Sequence, residues 1–254
     1  MNKEKREILL LEARIYREQG QFADSLGKLH QVVEAFPDNT DYLYLLAATY
    51  LEAKNTDAAK DYAEQLLKLN PQYKQSLELL GIIAENNRDY ENAEGYYQQA
   101  LIIDPNFHNA RFRLIKLYDE HIHNDVAIEE NCRYMLMHRD SDKDSLSMRK
   151  KKQILLAWYA FVQDRLIIAL AKQGKYKKAI EERLKYINYA MNSDKKMQYM
   201  YFINEYNDIY KYYYLSEDFK GLEEFKEQYK QCISSENYKE DFQKLEKDAD
   251  LSTL

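Results

Sequence analysis

An all-α fold of stacked antiparallel helix pairs is what this sequence predicts, and three observations carry the prediction. The 254 residues contain 6 glycines and 3 prolines, where average usage of about 7% and 5% would give roughly 18 and 13. So few turn residues argue against sandwiches, barrels and Gly-rich nucleotide-binding folds, and favour helices with short connections. The prolines are Pro37, Pro71 and Pro105, 34 residues apart each time, the mark of an internal repeat. Small residues also return at fixed places: Ala13, Ala47 and Gly81 in one, Ser25, Ala59, Ala93 and Ala127 in another. Two helices approach to about 8–10 Å only where the crossing side chains are small.

The repeat divides residues 1–141 into four units: 6–39, 40–73, 74–107 and 108–141. Each holds a first helix, a polar break, a second helix and a stop. The breaks are EQGQF (18–22), AKNTD (53–57), ENNRDY (85–90) and HIHND (121–125). Proline ends the second helix, because it has no N–H to give to a helix interior. The fourth unit lacks its proline but keeps Leu114, Tyr118, Ala127 and Tyr134 in register.

The remainder, 142–254, is less regular. GKYKKAIEERLKYI (174–187) reads as a second helix and places a unit near 160–193. EDFKGLEEFKEQYKQCI (217–233) places another near 203–236, with Phe219 in the aromatic position and Leu222 where a small residue is expected. The extra stretches 142–159 and 194–202 precede first helices, so those helices are predicted to be long. One over 147–173 would run roughly 40 Å at 1.5 Å per residue. Residues 237–250 read as a polar capping helix, and the whole second half is expected to continue the same solenoid.

The best unit, 74–107, resembles the tetratricopeptide repeat family, whose period is also 34. Leu77, Leu80, Gly81, Tyr90, Ala93, Tyr97, Ala100 and Pro105 all fall on family positions. The resemblance covers 6–107 well and 108–141 fairly; Arg111 and Ile115 depart from it. It implies a right-handed superhelix whose first helices line a concave face. On that face the resemblance places Leu10, Arg14, Tyr44, Leu45 and Ala48, then Leu79, Ile82, Phe112, Arg113 and Lys116, with Leu11, Arg17, Gln75 and Glu78 beside them. One subclass of the family captures a partner's C-terminal carboxylate with a Lys/Asn/Arg clamp. Leu10, Arg14, Leu45, Gln75 and Leu79 stand at those positions and cannot supply its charges. What is left is an apolar and aromatic floor with basic residues at its edges. Two readings stand: a groove for an amphipathic or extended peptide, or a groove filled by the C-terminal helices.

Chemistry is hard to find in the chain. No Walker, Rossmann, G-x-S-x-G or H-E-x-x-H signature occurs. Asp140, Asp142 and Asp144 imitate the opening of a calcium loop, but Ser145 and Lys151 stand where Gly and Glu are required. His121 and His123 lack a third strong zinc ligand. The run Arg149–Lys152 reads as a solvated face. No enzyme activity, cofactor or metal is expected.

The net charge is −6, with −8 in residues 1–141 and +2 in 142–254. That disfavours a nucleic-acid partner. No stretch nears 18 apolar residues, and the run Ile8–Leu11 is too short for a signal core, so no membrane partner and a cytoplasmic location are expected. Cys132 and Cys232 read as two free thiols in a reducing compartment, with a single disulfide as the alternative. Tyrosine is unusually common at 24, nine of them between Tyr186 and Tyr214. Tyr199, Phe202, Tyr206, Ile209 and Tyr213 share one helical stripe. That stripe is either a core between long helices or an interaction surface, and self-association through this half is a second partner expectation. Taken together, the sequence predicts a non-catalytic scaffold or adaptor that grips a protein segment; the alternative is a peptide-responsive regulator or chaperone-like protein.

Overall fold

The computed structural model describes residues 1–138, 148–193 and 198–230, with side chains described except at 148–159, 189–193, 198–205 and 207. Among the described residues every regular element is helical. The chain falls into two compact units, Met1–Ile122 and His123–Leu254.

The first unit holds α1 (Lys3–Glu18), α2 (Phe22–Ala35), α3 (Thr40–Glu52), α4 (Thr56–Leu69), α5 (Lys74–Asn86), α6 (Tyr90–Ile103) and α7 (His108–Leu117), ending in a π-helical turn, Tyr118–Ile122. Asn and Asp side chains cap several of these helices. Asn2, Asn39, Asn55 and Asp89 each accept a backbone N–H from the first turn, satisfying donors that have no partner inside the helix. The break inside each pair is built the same way three times. Gly20, Lys54 and Arg88, 34 residues apart, adopt left-handed backbone at φ 74, 62 and 62. Each donates to the carbonyl three residues back, and the next N–H donates five residues back, closing the helix end.

The small residues sit where helices touch. Ala13, Ala47, Ala59, Ala63 and Ala93 are buried, and Ser25 Oγ donates to Ala13 O at 2.7 Å across the α1–α2 crossing. Ser76 does the same between successive pairs, donating to Ala63 O at 2.6 Å. Gly81 has a specific reason to be glycine. A Cβ there would lie 2.4 Å from Tyr97 Cε1, far inside van der Waals contact. Tyr97 is fully buried and stands where α2 has Leu29 and α4 has Ala63. The third pair exchanges a methyl group for a phenol ring.

The second unit holds α8 (Asp125–Met137), α9 (Met148–Lys172), α10 (Tyr176–Ser193), α11 (Gln198–Leu215) and α12 (Phe219–Gln228), each packing on the next. The helices α9, α10 and α11 are 25, 18 and 18 residues long, against 10 to 16 in the first unit; the extra stretches predict this for the first helices α9 and α11, and the length of α10 adds to it. The left-handed turn recurs at Gly174 and Glu217 with the same hydrogen bonds. Tyr206, Ile209 and Tyr213 of the predicted stripe are buried, joined by Tyr212, so this part of the tyrosine-rich segment is core. Tyr214 and Phe219 stay exposed. Cys132 is buried. The expected capping helix at 237–250, Cys232, the loop of Asp140, Asp142 and Asp144, and the side chains of Arg149–Lys152, Tyr199 and Phe202 lie outside the described residues.

Candidate partner-binding face

The repeat brings one face of α1, α3, α5 and α7 into a row, because equivalent residues stand 34 apart on helices that stack in the same sense. Tyr44 and Ala48 are half-buried against the core formed by Ala47, Ala63, Leu79 and Leu80. Leu10 and Leu45 pack the same way on Ala13, Leu29 and Leu46. Ile82, Phe112, Arg113 and Lys116 are half-buried, and Arg14 is exposed. Leu79 differs from the sequence reading. It is 6% exposed and belongs to the α3–α4–α5 core, so it supports the face from beneath.

The basic residues of this face have acidic neighbours. Arg14 Nε lies 3.0 Å from Glu18, Arg17 Nε 3.6 Å from Glu52, and Lys116 Nζ 3.5 Å from Glu120. Arg113 lies close enough to Glu78 to oppose the effect of burial on it.

Glu78 is at the centre of the row. Burial pushes its carboxyl above the ordinary range, partly offset by the Arg113 guanidinium and a hydrogen bond from the Asn109 side chain. A half-buried carboxylate resists ionising because low dielectric disfavours charge. Burial and the nearby Glu78 push the Tyr44 hydroxyl up too. Its ring meets that of Tyr73 at 5.9 Å, and Tyr73 Oη donates to Asp41 Oδ1 at 3.1 Å. At the far end of α5, Tyr97 Oη donates to Glu85 at 2.8 Å. The result is an aromatic and aliphatic strip threaded by hydrogen-bonded charges, suited to laying down a peptide with both apolar and polar groups. Glu78 comes from the resemblance, but the parts played by Tyr73, Glu52 and Glu85 do not. Glu52 and Glu85 fall among the apolar positions of α3 and α5, and Tyr73 directly precedes α5; that placement is the signal that could have found them.

Among the described residues, no group of three His, Cys, Asp or Glu side chains is placed to hold a metal ion. His121 stacks on Tyr90, with centroids 4.2 Å apart and planes within 11°. No described helix is long and apolar enough to cross a membrane.

Comparisons with known proteins bear on the same part of the chain. The family model described as tetratricopeptide repeat matches residues 10–59 and 49–106. A stretch of 69 residues is 36% identical to the uncharacterized protein ycf37 of Pyropia yezoensis, covering 27% of this chain and 39% of that protein. Among solved structures, the crystal structure of MamA protein superposes with a TM-score of 0.52 at 18% identity, over 74% of this chain and 97% of that one. A thermophilic TPR protein of Thermus thermophilus gives 0.48 at 16% identity, over 77% and 96%. The likeness to MamA is a likeness of fold.

Proposed function

We propose, from the premise that residues 10–106 are tetratricopeptide repeats, that this protein is a non-catalytic interaction module, a scaffold or adaptor that binds a peptide or helical segment of another protein on its concave face. The observation that carries this reading is the row of half-buried Tyr44, Ala48, Ile82 and Phe112, drawn from three successive first helices. Isolated apolar side chains on a surface are ordinary, whereas a contiguous row usually serves a partner. Leu10, Leu45 and Arg14 extend it on one side, and Arg113 and Lys116 on the other. The stacking of rigid pairs holds these residues in place before binding, which lowers the entropic cost of association.

The cations of the face stand among Glu18, Glu52 and Glu120, so its local charge is nearly balanced and a lone carboxylate is a poor ligand. An apolar segment with mixed charges suits the face better. A protein partner also fits a net charge of −6 better than nucleic acid does.

The test is retention of partners from native extract by wild-type and variant chains, followed by affinity measurement on the partner identified. Tyr44→Ala and Phe112→Ala should each weaken binding by about 1 kcal/mol or more, with little loss of helix content. Large destabilisation with binding intact would remove this face as the docking site.

A further inference from the structure

The outward face of α1 carries Ile8, Leu11 and Ile15 at 51%, 59% and 45% exposure. Their place in the repeat explains why this is unusual. Ile8 stands third in its unit and Ile15 tenth. The same places on α5 and α7 hold Ser76, Ile83, Ala110 and Leu117, all buried, and on α3 the tenth place holds buried Thr49. Those helices pack on the second helix of the preceding pair, α2, α4 or α6. In α1 the corresponding face is apolar and exposed.

The pattern along α1 says what fits it. Spacings of 3 and 4 between residues 8, 11 and 15 make the seam of a two-helix contact. The flanking residues are Lys5 and Glu12 on one side, Glu7 and Arg14 on the other. Align two copies of α1 antiparallel, with Ile8 of each opposite Leu11 of the other. Glu7 then lies beside Arg14 of the second copy, and Lys5 beside Glu12 of the second copy. Symmetry makes each pair occur twice. A parallel alignment instead sets Glu7 against Glu12. These side chains have intrachain partners on the open surface: Lys3 for Glu7, Glu18 for Arg14 and Lys28 for Glu12. Exposed pairs of this kind are weak and exchangeable.

We infer that the α1 face is a self-association surface, on which a second copy of this chain docks its own α1 antiparallel. The seam borders the concave row and shares Leu11 and Arg14 with its edge, but Tyr44, Ile82 and Phe112 lie on α3, α5 and α7, so partner binding and self-association are tested by different measurements. One helix pair buries less than the roughly 1,200 Å² of a standard interface, so the dissociation constant should be on the order of tens of micromolar. Charges at the flanks make it weaken as salt rises.

Sedimentation velocity of the full chain over a micromolar concentration series decides the matter. The wild-type chain should pass from monomer to dimer across the series, and Leu11→Glu should stay monomeric. Glu7→Arg and Arg14→Glu, each alone, place like charges across the seam and should weaken dimerisation at least about fivefold. Mixed in equal amounts, these two variants regain both complementary pairs and should dimerise with each other. All the substituted positions are exposed or half-exposed, and circular dichroism checks that each variant folds. Should Leu11→Glu fail to fold, the mixing experiment decides by itself. The inference is overturned by a wild-type chain that stays monomeric throughout, which would leave the face to a different protein. A dimer indifferent to Leu11→Glu, or two charge variants that fail to associate on mixing, would also overturn it.

Discussion

The two units solve the same packing problem by different means. In the first, helices approach because Ala13, Ala47, Ala59, Ala63 and Ala93 leave room, and where Tyr97 takes the place of Ala63 the facing residue shrinks to Gly81. In the second, counting from the shared left-handed turn, the position of Leu29, Ala63 and Tyr97 is taken by Arg183. That guanidinium is 3% exposed, and it bonds Asp164 of α9 at 3.2 Å and Asp208 of α11 at 2.7 Å. Burial and the nearby Asp208 push the Tyr212 hydroxyl beside it to about 12. Size complementarity sets helix register in one unit, and a charged hydrogen-bonded centre does so in the other. Packing tolerates small drift in register, whereas a buried cation must meet its carboxylates or lose much of its stabilisation.

Replacing both carboxylates tests the charged centre most severely. Asp164→Asn with Asp208→Asn takes two carboxylates away from the buried Arg183 guanidinium and should cost about 3 kcal/mol. Hydrogen exchange should then quicken in α9–α11 while α3–α6 keep their protection; a uniform response would erase the contrast between the units. Next comes Gly81→Ala, which drives a methyl group into the Tyr97 ring and should cost about 1–3 kcal/mol. Adding Tyr97→Leu, which reproduces the Ala13–Leu29 pairing, should recover much of the loss in thermal unfolding. No recovery would mean that size matching does not set the register of the third pair.

A smaller effect should be common to both units. Lys54, Arg88 and Glu217 hold left-handed backbone that glycine adopts without strain. Each change to glycine should stabilise by about 0.5–1 kcal/mol, read as a rise in midpoint temperature. Smallest is a difference in pH response. Burial would raise Glu129, but hydrogen bonds from Lys175, Arg133 and Gln173 outweigh it and hold the carboxyl below its usual 4.5. Its contribution to the second unit is therefore complete above 4.5 and lost as pH falls through the lower folded value. Glu78 runs the other way. Its raised value means the ionised form burdens the first unit near neutrality, and the burden lifts as pH falls through that value toward 4.5. Exchange rates followed from neutral to acid pH should show the first unit gaining before the second loses, and Glu78→Gln should abolish the gain.

Much of this molecule was legible in the order of its residues. The proline spacing, the small residues at Ala13, Ala47 and Gly81, and the polar breaks mark the helix pairs through residue 107. They do so because each of those residues acts on neighbours within its own 34-residue unit. The turn at Gly20 recurs at Lys54 and Arg88 for the same local reason, even where glycine is missing. Exposure was not legible in this way. Leu79 and Leu11 hold the same place in their units, yet one is in the core and the other faces water, because burial depends on whether another pair stacks in front. Nor could the partners of Arg14, Arg17 and Lys116 or the burial of Arg183 be read from spacing, since repeat position does not say which side chains will meet. The sequence by itself determined the helices and their pairing, through contacts that are short-range along the chain. Only the tertiary structure decided which faces are covered and which charges are neutralised, because those depend on neighbouring helices as much as on the residue itself.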